Sequence, residues 1–128
     1  RLTKAKNPEY AAEAQYVLAE IAFNSGKIEE SEKMIHQINA NPSSEYWLAK
    51  TFVLWADIFK SKGNTIQAKQ TLQSIIDNYE GDEELIETAK QKLLSLTDEE
   101  TKALQETEDK RQEQQEAVDE IIIEDAEQ

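Results

Sequence analysis

The chain predicts an all-α protein, an α-α superhelix of two helix hairpins with a capping helix and an acidic helical tail. Three observations carry this expectation. The sequence matches itself when shifted by 37 residues, its apolar residues recur at helical spacing, and a single glycine falls where each hairpin must turn.

In the shifted comparison Ala12 meets Ala49, Ala19 meets Ala56, Ile21 meets Ile58, Gly26 meets Gly63, Ile38 meets Ile75 and Asn41 meets Asn78. Related pairs fill the same register: Leu18 with Trp55, Glu20 with Asp57, Ser31 with Ala68 and Ile35 with Leu72. The matched types are small residues, branched apolar residues and a lone glycine, which are the types that packing and turning constrain. Ala19 and Ala56 let helices approach to the closer end of the ~8–10 Å interaxial range.

The first unit, about 8–42, reads as two helices. The first runs from Pro8 to Ser25, with Asn7 as its cap and Pro8 at the first helical position, where a missing N–H costs nothing. Ala12, Gln15, Ala19 and Ala22 form one stripe, with Val17, Leu18 and Ile21 beside it. Gly26 supplies the left-handed backbone that ends a helix. A second helix follows from Ile28 to Asn39 with Ser31, Ile35 and Ile38 inward, and Asn41 and Pro42 close the unit.

The second unit, about 44–79, repeats the plan. Ser43 or Ser44 caps a helix from Glu45 to Lys62, with Leu48, Phe52, Trp55, Ala56 and Phe59 on its apolar stripe. Gly63 ends it, and Thr65 opens a fourth helix that reaches Tyr79 through Ala68, Leu72, Ile75 and Ile76. Gly81 and Asp82 break the chain. A capping helix over 82–96 then presents Ile86, Ala89, Leu93 and Leu96.

These residues resemble the tetratricopeptide repeat family, whose unit is about 34 residues. The resemblance is carried by Leu18, Ala19, Ala22, Gly26, Ser31, Ile35, Ile38 and Pro42 in the first unit, and by Trp55, Ala56, Phe59, Gly63, Ala68, Leu72 and Ile75 in the second. It covers residues 8–96. The departures are Ala22 where the family has an aromatic, Ser31 where it has alanine, and no proline closing the second unit. The loop from Asn39 to Ser44 accommodates the longer spacing. Among such repeats the sequence looks like the divergent bacterial type of the cell envelope, including outer-membrane assembly lipoproteins, which implies a periplasmic or envelope location. The chain opens on Arg1 rather than Met, which reads as the C-terminal part of a larger repeat protein.

The resemblance implies a protein or peptide partner held on a concave surface made by the first helices. That surface receives Glu13, Tyr16, Glu20, Phe23 and Asn24 from one unit, and Lys50, Val53, Asp57, Lys60 and Ser61 from the other. Partly exposed Tyr16, Phe23 and Val53 between Glu20 and Asp57 suit an apolar or basic segment. On the opposing reading Phe23 and Val53 fill packing gaps and the charges are solvated. The family's clamp for a peptide's terminal carboxylate does not map, because Tyr16 and Glu20 occupy its places. Trp55 belongs to the core stripe, whereas Tyr46 and Trp47 either cover the joint between units or form an exposed handle. His36, the single histidine, reads as a solvated helix residue.

Charge is distributed unevenly. Residues 1–97 carry 14 acidic and 11 basic side chains, and residues 98–128 carry 13 and 3. Such a tail repels nucleic acid and anionic lipid, and no basic stripe offsets it. No apolar run reaches the ~20 residues of a membrane span. With no cysteine and one histidine, no metal or cofactor is expected. Adjacent carboxylates such as Glu29 and Glu30 diverge on a helix, so the expectation is a protein that is not an enzyme.

The tail, residues 97–128, reads as helical or partly disordered. Thr97 or Asp98 caps a new helix, the stretch from Gln105 to Glu116 is wholly polar, and Ile121, Ile122 and Ile123 form an isolated apolar run. That run is a docking motif, an edge-pairing strand, a segment that folds back into the groove, or a frayed end. Two functions emerge: a scaffold for a partner protein, or a self-association module in which the capping helix and tail pair two copies into a homo-oligomer.

Overall fold

A computed structural model describes residues 8–127, with side chains from Glu9 to Ile122. Asn7, the expected first cap, lies outside the described residues, and so does the side chain of Ile123. Among the described residues the protein is all-helical with no strand: α1 Pro8–Asn24, α2 Ile28–Ala40, α3 Glu45–Ser61, α4 Thr65–Asn78 and α5 Glu83–Glu127. The chain divides into two compact units, one ending at Leu93 and the other beginning at Leu94.

Local chemistry sets the helix ends in the first unit. Gly26 and Gly63 take φ of 82° and 78°, the left-handed backbone that lets α1 and α3 stop and the chain reverse. Of the two serines offered as caps for α3, Ser44 serves, its Oγ accepting from the Trp47 amide at 3.3 Å. Helix α4 opens at Thr65 as expected, with Asn64 as its cap, the Asn64 Oδ1 accepting from the Gln67 amide at 3.3 Å. Asp82 performs the same task for α5, its Oδ1 accepting from the Leu85 amide at 2.9 Å.

The two hairpins α1–α2 and α3–α4 bury equivalent positions. Ala12, Ala19, Ser31, Ile35 and Ile38 are buried in the first, and Ala49, Ala56, Ala68, Leu72 and Ile75 in the second. The hairpins join through α3. Trp47, Leu54 and Ile58 cluster with Ala12, Tyr16 and Ala19 of α1 and with Ile35 of α2. Lys62, just past α3, pairs at 3.0 Å with Glu32 of α2.

Several sequence expectations change here. Val17, Leu18 and Ile21, read as flanking the buried stripe, are exposed. Trp47 is buried where the two hairpins meet, covering the joint rather than forming an exposed handle, and Trp55 packs half-buried against the same cluster. Trp47, Leu54 and Ile58 pack on the first hairpin, and Trp55 also stacks on Phe59 at 5.4 Å and meets Phe52 and His36 edge-on.

The second unit is part of α5. No new helix starts at Thr97 or Asp98, and α5 runs unbroken to Glu127. Its side chains lie mostly in solvent, so local contacts support it. Gln105 donates to Asp109 and Gln115 to Asp119, each at 3.0 Å and one turn on. Arg111 pairs with Glu108. No helix of the described residues is long and apolar enough to cross a membrane.

Candidate functional site: a carboxylate-rich cleft on α1, α3 and the start of α5

Side chains from α1, α3 and the first turns of α5 enclose a cleft of about 310 Å³, all within the first unit. Tyr16 and Glu20 are successive turns of α1. Tyr46, Lys50, Val53 and Asp57 follow one stripe of α3, because spacings of three and four residues keep side chains on one face. Asp82, Glu84, Leu85, Thr88 and Lys92 complete the wall from the α5 side.

Five residues expected on the partner-binding surface therefore meet in this cleft: Tyr16, Glu20, Lys50, Val53 and Asp57. Five others stand elsewhere. Phe23 packs against the core cluster, and Glu13, Asn24, Lys60 and Ser61 are exposed and outside the cleft lining. Tyr16 and Val53 are buried rather than partly exposed. For Tyr16 the reason is Trp47, whose ring centroid lies 5.8 Å from its own.

The cleft has a cationic point held by rings. The Lys50 ammonium sits 5.4 Å from the Tyr16 centroid, 5.7 Å from Tyr46 and 5.9 Å from Trp47, and it donates to the Tyr46 hydroxyl at 3.4 Å. Ring quadrupoles attract a cation at this range. Trp47 is itself tied across to α1, its indole Nε1 donating to a Glu9 carboxylate oxygen.

Carboxylates outnumber ammoniums in the lining. Glu20, Asp57, Asp82 and Glu84 face Lys50 and Lys92. Lys92 donates to both Asp57 oxygens, at 3.0 and 3.2 Å, so that pair is internally neutral. What remains is an acidic excess beside an aromatic floor. The Tyr16 hydroxyl donates to Glu20 at 3.4 Å. Burial, then the Glu20 charge and this hydrogen bond, then Asp57 and Tyr46, push the Tyr16 phenol well above its ordinary value.

Sequence reasoning missed the contribution of α5. Lys92 reaches Asp57 across 35 residues of chain, and nothing local in either segment marks the pairing. A second hollow of about 260 Å³ runs between α3 and α4, lined by Leu48, Ala49, Phe52, Ile75 and Tyr79 among others. It is apolar and lacks the converging charges of the first. Among the described residues no group of three or more His, Asp or Glu side chains is placed to hold a metal ion. No protein family, no curated protein and no solved structure gives a match to this chain.

Proposed function

We propose that this chain is a non-catalytic protein-binding scaffold of tetratricopeptide-like, divergent bacterial type, part of a larger repeat protein, that holds a basic segment of its partner in the α1–α3–α5 cleft. The observation that carries this reading is the lining itself, four carboxylates and two ammoniums over a floor of Tyr16, Tyr46 and Val53. Such a surface favours a lysine or arginine with an apolar neighbour, since the carboxylate excess attracts cations and repels like-charged segments. Every lining residue except the cap Asp82 stands on a helix, so the site is largely preorganised and ordering it on binding costs little.

Reversing the cleft's charge tests this. Glu20→Lys with Glu84→Lys changes two carboxylates outside the Lys92–Asp57 pair. The expected result is a loss of about tenfold or more in affinity for a partner captured by residues 1–128, with helicity and melting point retained. Undiminished capture would move recognition away from the cleft.

A second reading, self-association, is favoured by Leu104, Val118, Ile121 and Ile122, which are all exposed on α5. Leu104 and Val118 stand two heptads apart and so share a face, although Glu108, Arg111 and Gln115 interrupt the seam. Only this reading expects a mass that grows with concentration and returns to the monomer's on Leu104→Lys with Val118→Lys.

A further inference from the structure

Helix α1 is apolar on two opposite faces. Ala12, Tyr16 and Ala19 point into the core. On the reverse side Ala14, Val17, Leu18 and Ile21 lie at i, i+3, i+4 and i+7 and form one continuous stripe. All four are exposed, the last three at 40%, 56% and 54%. A helix with two apolar faces has two surfaces to cover, and the fold covers one.

The internal repeat identifies what fits the other. Moved by 37 residues, Ala14, Val17, Leu18 and Ile21 become Thr51, Leu54, Trp55 and Ile58 of α3. Thr51, Leu54 and Ile58 are 0%, 3% and 0% exposed, and Trp55 packs half-buried against the same cluster. This α3 stripe is the surface by which the second hairpin seats on the first, against Ala12, Ala19 and Ile35. The two stripes are equivalent in register and alike in their large apolar residues, and among the described residues only one has a neighbour.

We infer that the Val17–Leu18–Ile21 face of α1 is the docking surface for one more helix hairpin of the same repeat class, seated on α1 as α1–α2 is seated on α3. The chemistry of the occupant follows from the junction already formed. It presents small residues on one helix, where Ala12 and Ala19 stand, and a branched aliphatic on the other, where Ile35 stands. It brings no charge to the centre, since the stripe offers no counter-ion. A second α1 is a poorer occupant: pairing the stripe with itself sets Leu18 and Ile21 against equally large side chains, whereas at α3 the large residues meet alanines. The inference concerns the face away from the cleft and does not rest on what the cleft binds.

A chain in which residues 8–44 are repeated in tandem ahead of Pro8 supplies such a hairpin at the native spacing. The expected result is a thermal midpoint higher by about 5 °C or more. The α1 amides of the original hairpin should exchange roughly tenfold more slowly with solvent. Ile21→Asp in that hairpin should abolish the gain, yet shift the midpoint of the 128-residue chain by less than about 2 °C, because Ile21 is exposed there. A tandem chain that melts no higher or fails to fold overturns the inference. So does an Ile21→Asp change that destabilises the natural chain as much as the tandem one. A dimer of the natural chain that Ile21→Asp dissolves would assign the face to a second copy instead.

Discussion

In the first hairpin Ser31 donates a hydrogen bond of 2.8 Å to the Ala19 carbonyl, with both residues fully buried. The second hairpin has Ala68 at the same place in the register, equally buried, as is Ala56, the counterpart of Ala19. Around them the hairpins agree closely: Ile35 and Leu72 are 0% and 1% exposed, and Ile38 and Ile75 are 3% and 2%. The positions that repeat are those where the gap between helices dictates volume. Polarity is free to vary there, provided a buried hydroxyl finds an acceptor.

The strongest way to break this equivalence is a charge at the closest approach. Ala19→Glu and Ala56→Glu each bury a carboxylate with no partner and no room, at an expected cost of about 3 kcal/mol or more. Thermal melts followed by circular dichroism should show both hairpins equally intolerant. If one variant melts like the parent, the two alanines are not equivalent.

The turns give a smaller, sharper comparison. A Cβ at Gly26 or Gly63 meets nothing within 4 Å, so Gly26→Ala and Gly63→Ala carry only the backbone penalty of a positive φ. That penalty is about 1 kcal/mol for each. Denaturant midpoints should fall by similar amounts, and a much larger loss at one site would reveal a contact made elsewhere in the turn.

Ser31→Ala converts the first hairpin to the second's solution and is expected to cost no more than about 1 kcal/mol, because it removes the donor without stranding a buried group. A loss of several kcal/mol would show that the hydroxyl sets the α1–α2 geometry.

The smallest effect at neutral pH concerns Tyr16, whose counterpart in the second hairpin is Val53. Its phenol is raised in the folded state, chiefly by burial and by Glu20. The associated stability is fully present below the ordinary tyrosine value near pH 10 and is lost as pH rises beyond it. Tyr16→Phe should flatten that alkaline decline and remove the late-ionising phenolate from an ultraviolet titration, while changing the melt at pH 7 little.

Helix positions were legible because their punctuation is local. Gly26, Gly63 and Ser44 act within a turn of themselves, and the ends they mark fall within a residue or two of the expected ones. Which apolar face is covered was not legible in the same way. Val17, Leu18 and Ile21 carry the same period as Leu54, Trp55 and Ile58, and only the presence of a neighbour separates an exposed stripe from a buried one. For the cleft, the α1 and α3 share followed from the repeat. The α5 share did not, because the expected stripe was Ile86, Ala89, Leu93 and Leu96, whereas Leu85, Thr88 and Lys92, each one position earlier, line the cleft. A step of one residue turns a helix by about 100° and so changes the face. The continuity of α5 past Thr97 was hidden for another reason: a solvated polar helix and a disordered segment share one composition.

The two tryptophans stand in unlike surroundings on the same helix. Trp47 lies buried against Tyr16 and the Lys50 ammonium at the cleft, and Trp55 is half-buried among Phe52, Phe59 and His36. The chain thereby carries an optical reporter for each neighbourhood. With Trp55→Phe the remaining emission comes from Trp47, behind the lining residues Tyr16, Tyr46 and Lys50, and an occupant that shifts them would change its colour and quenching with no label attached. With Trp47→Phe the light comes from the aromatic ladder, and the same occupant should leave it unmoved.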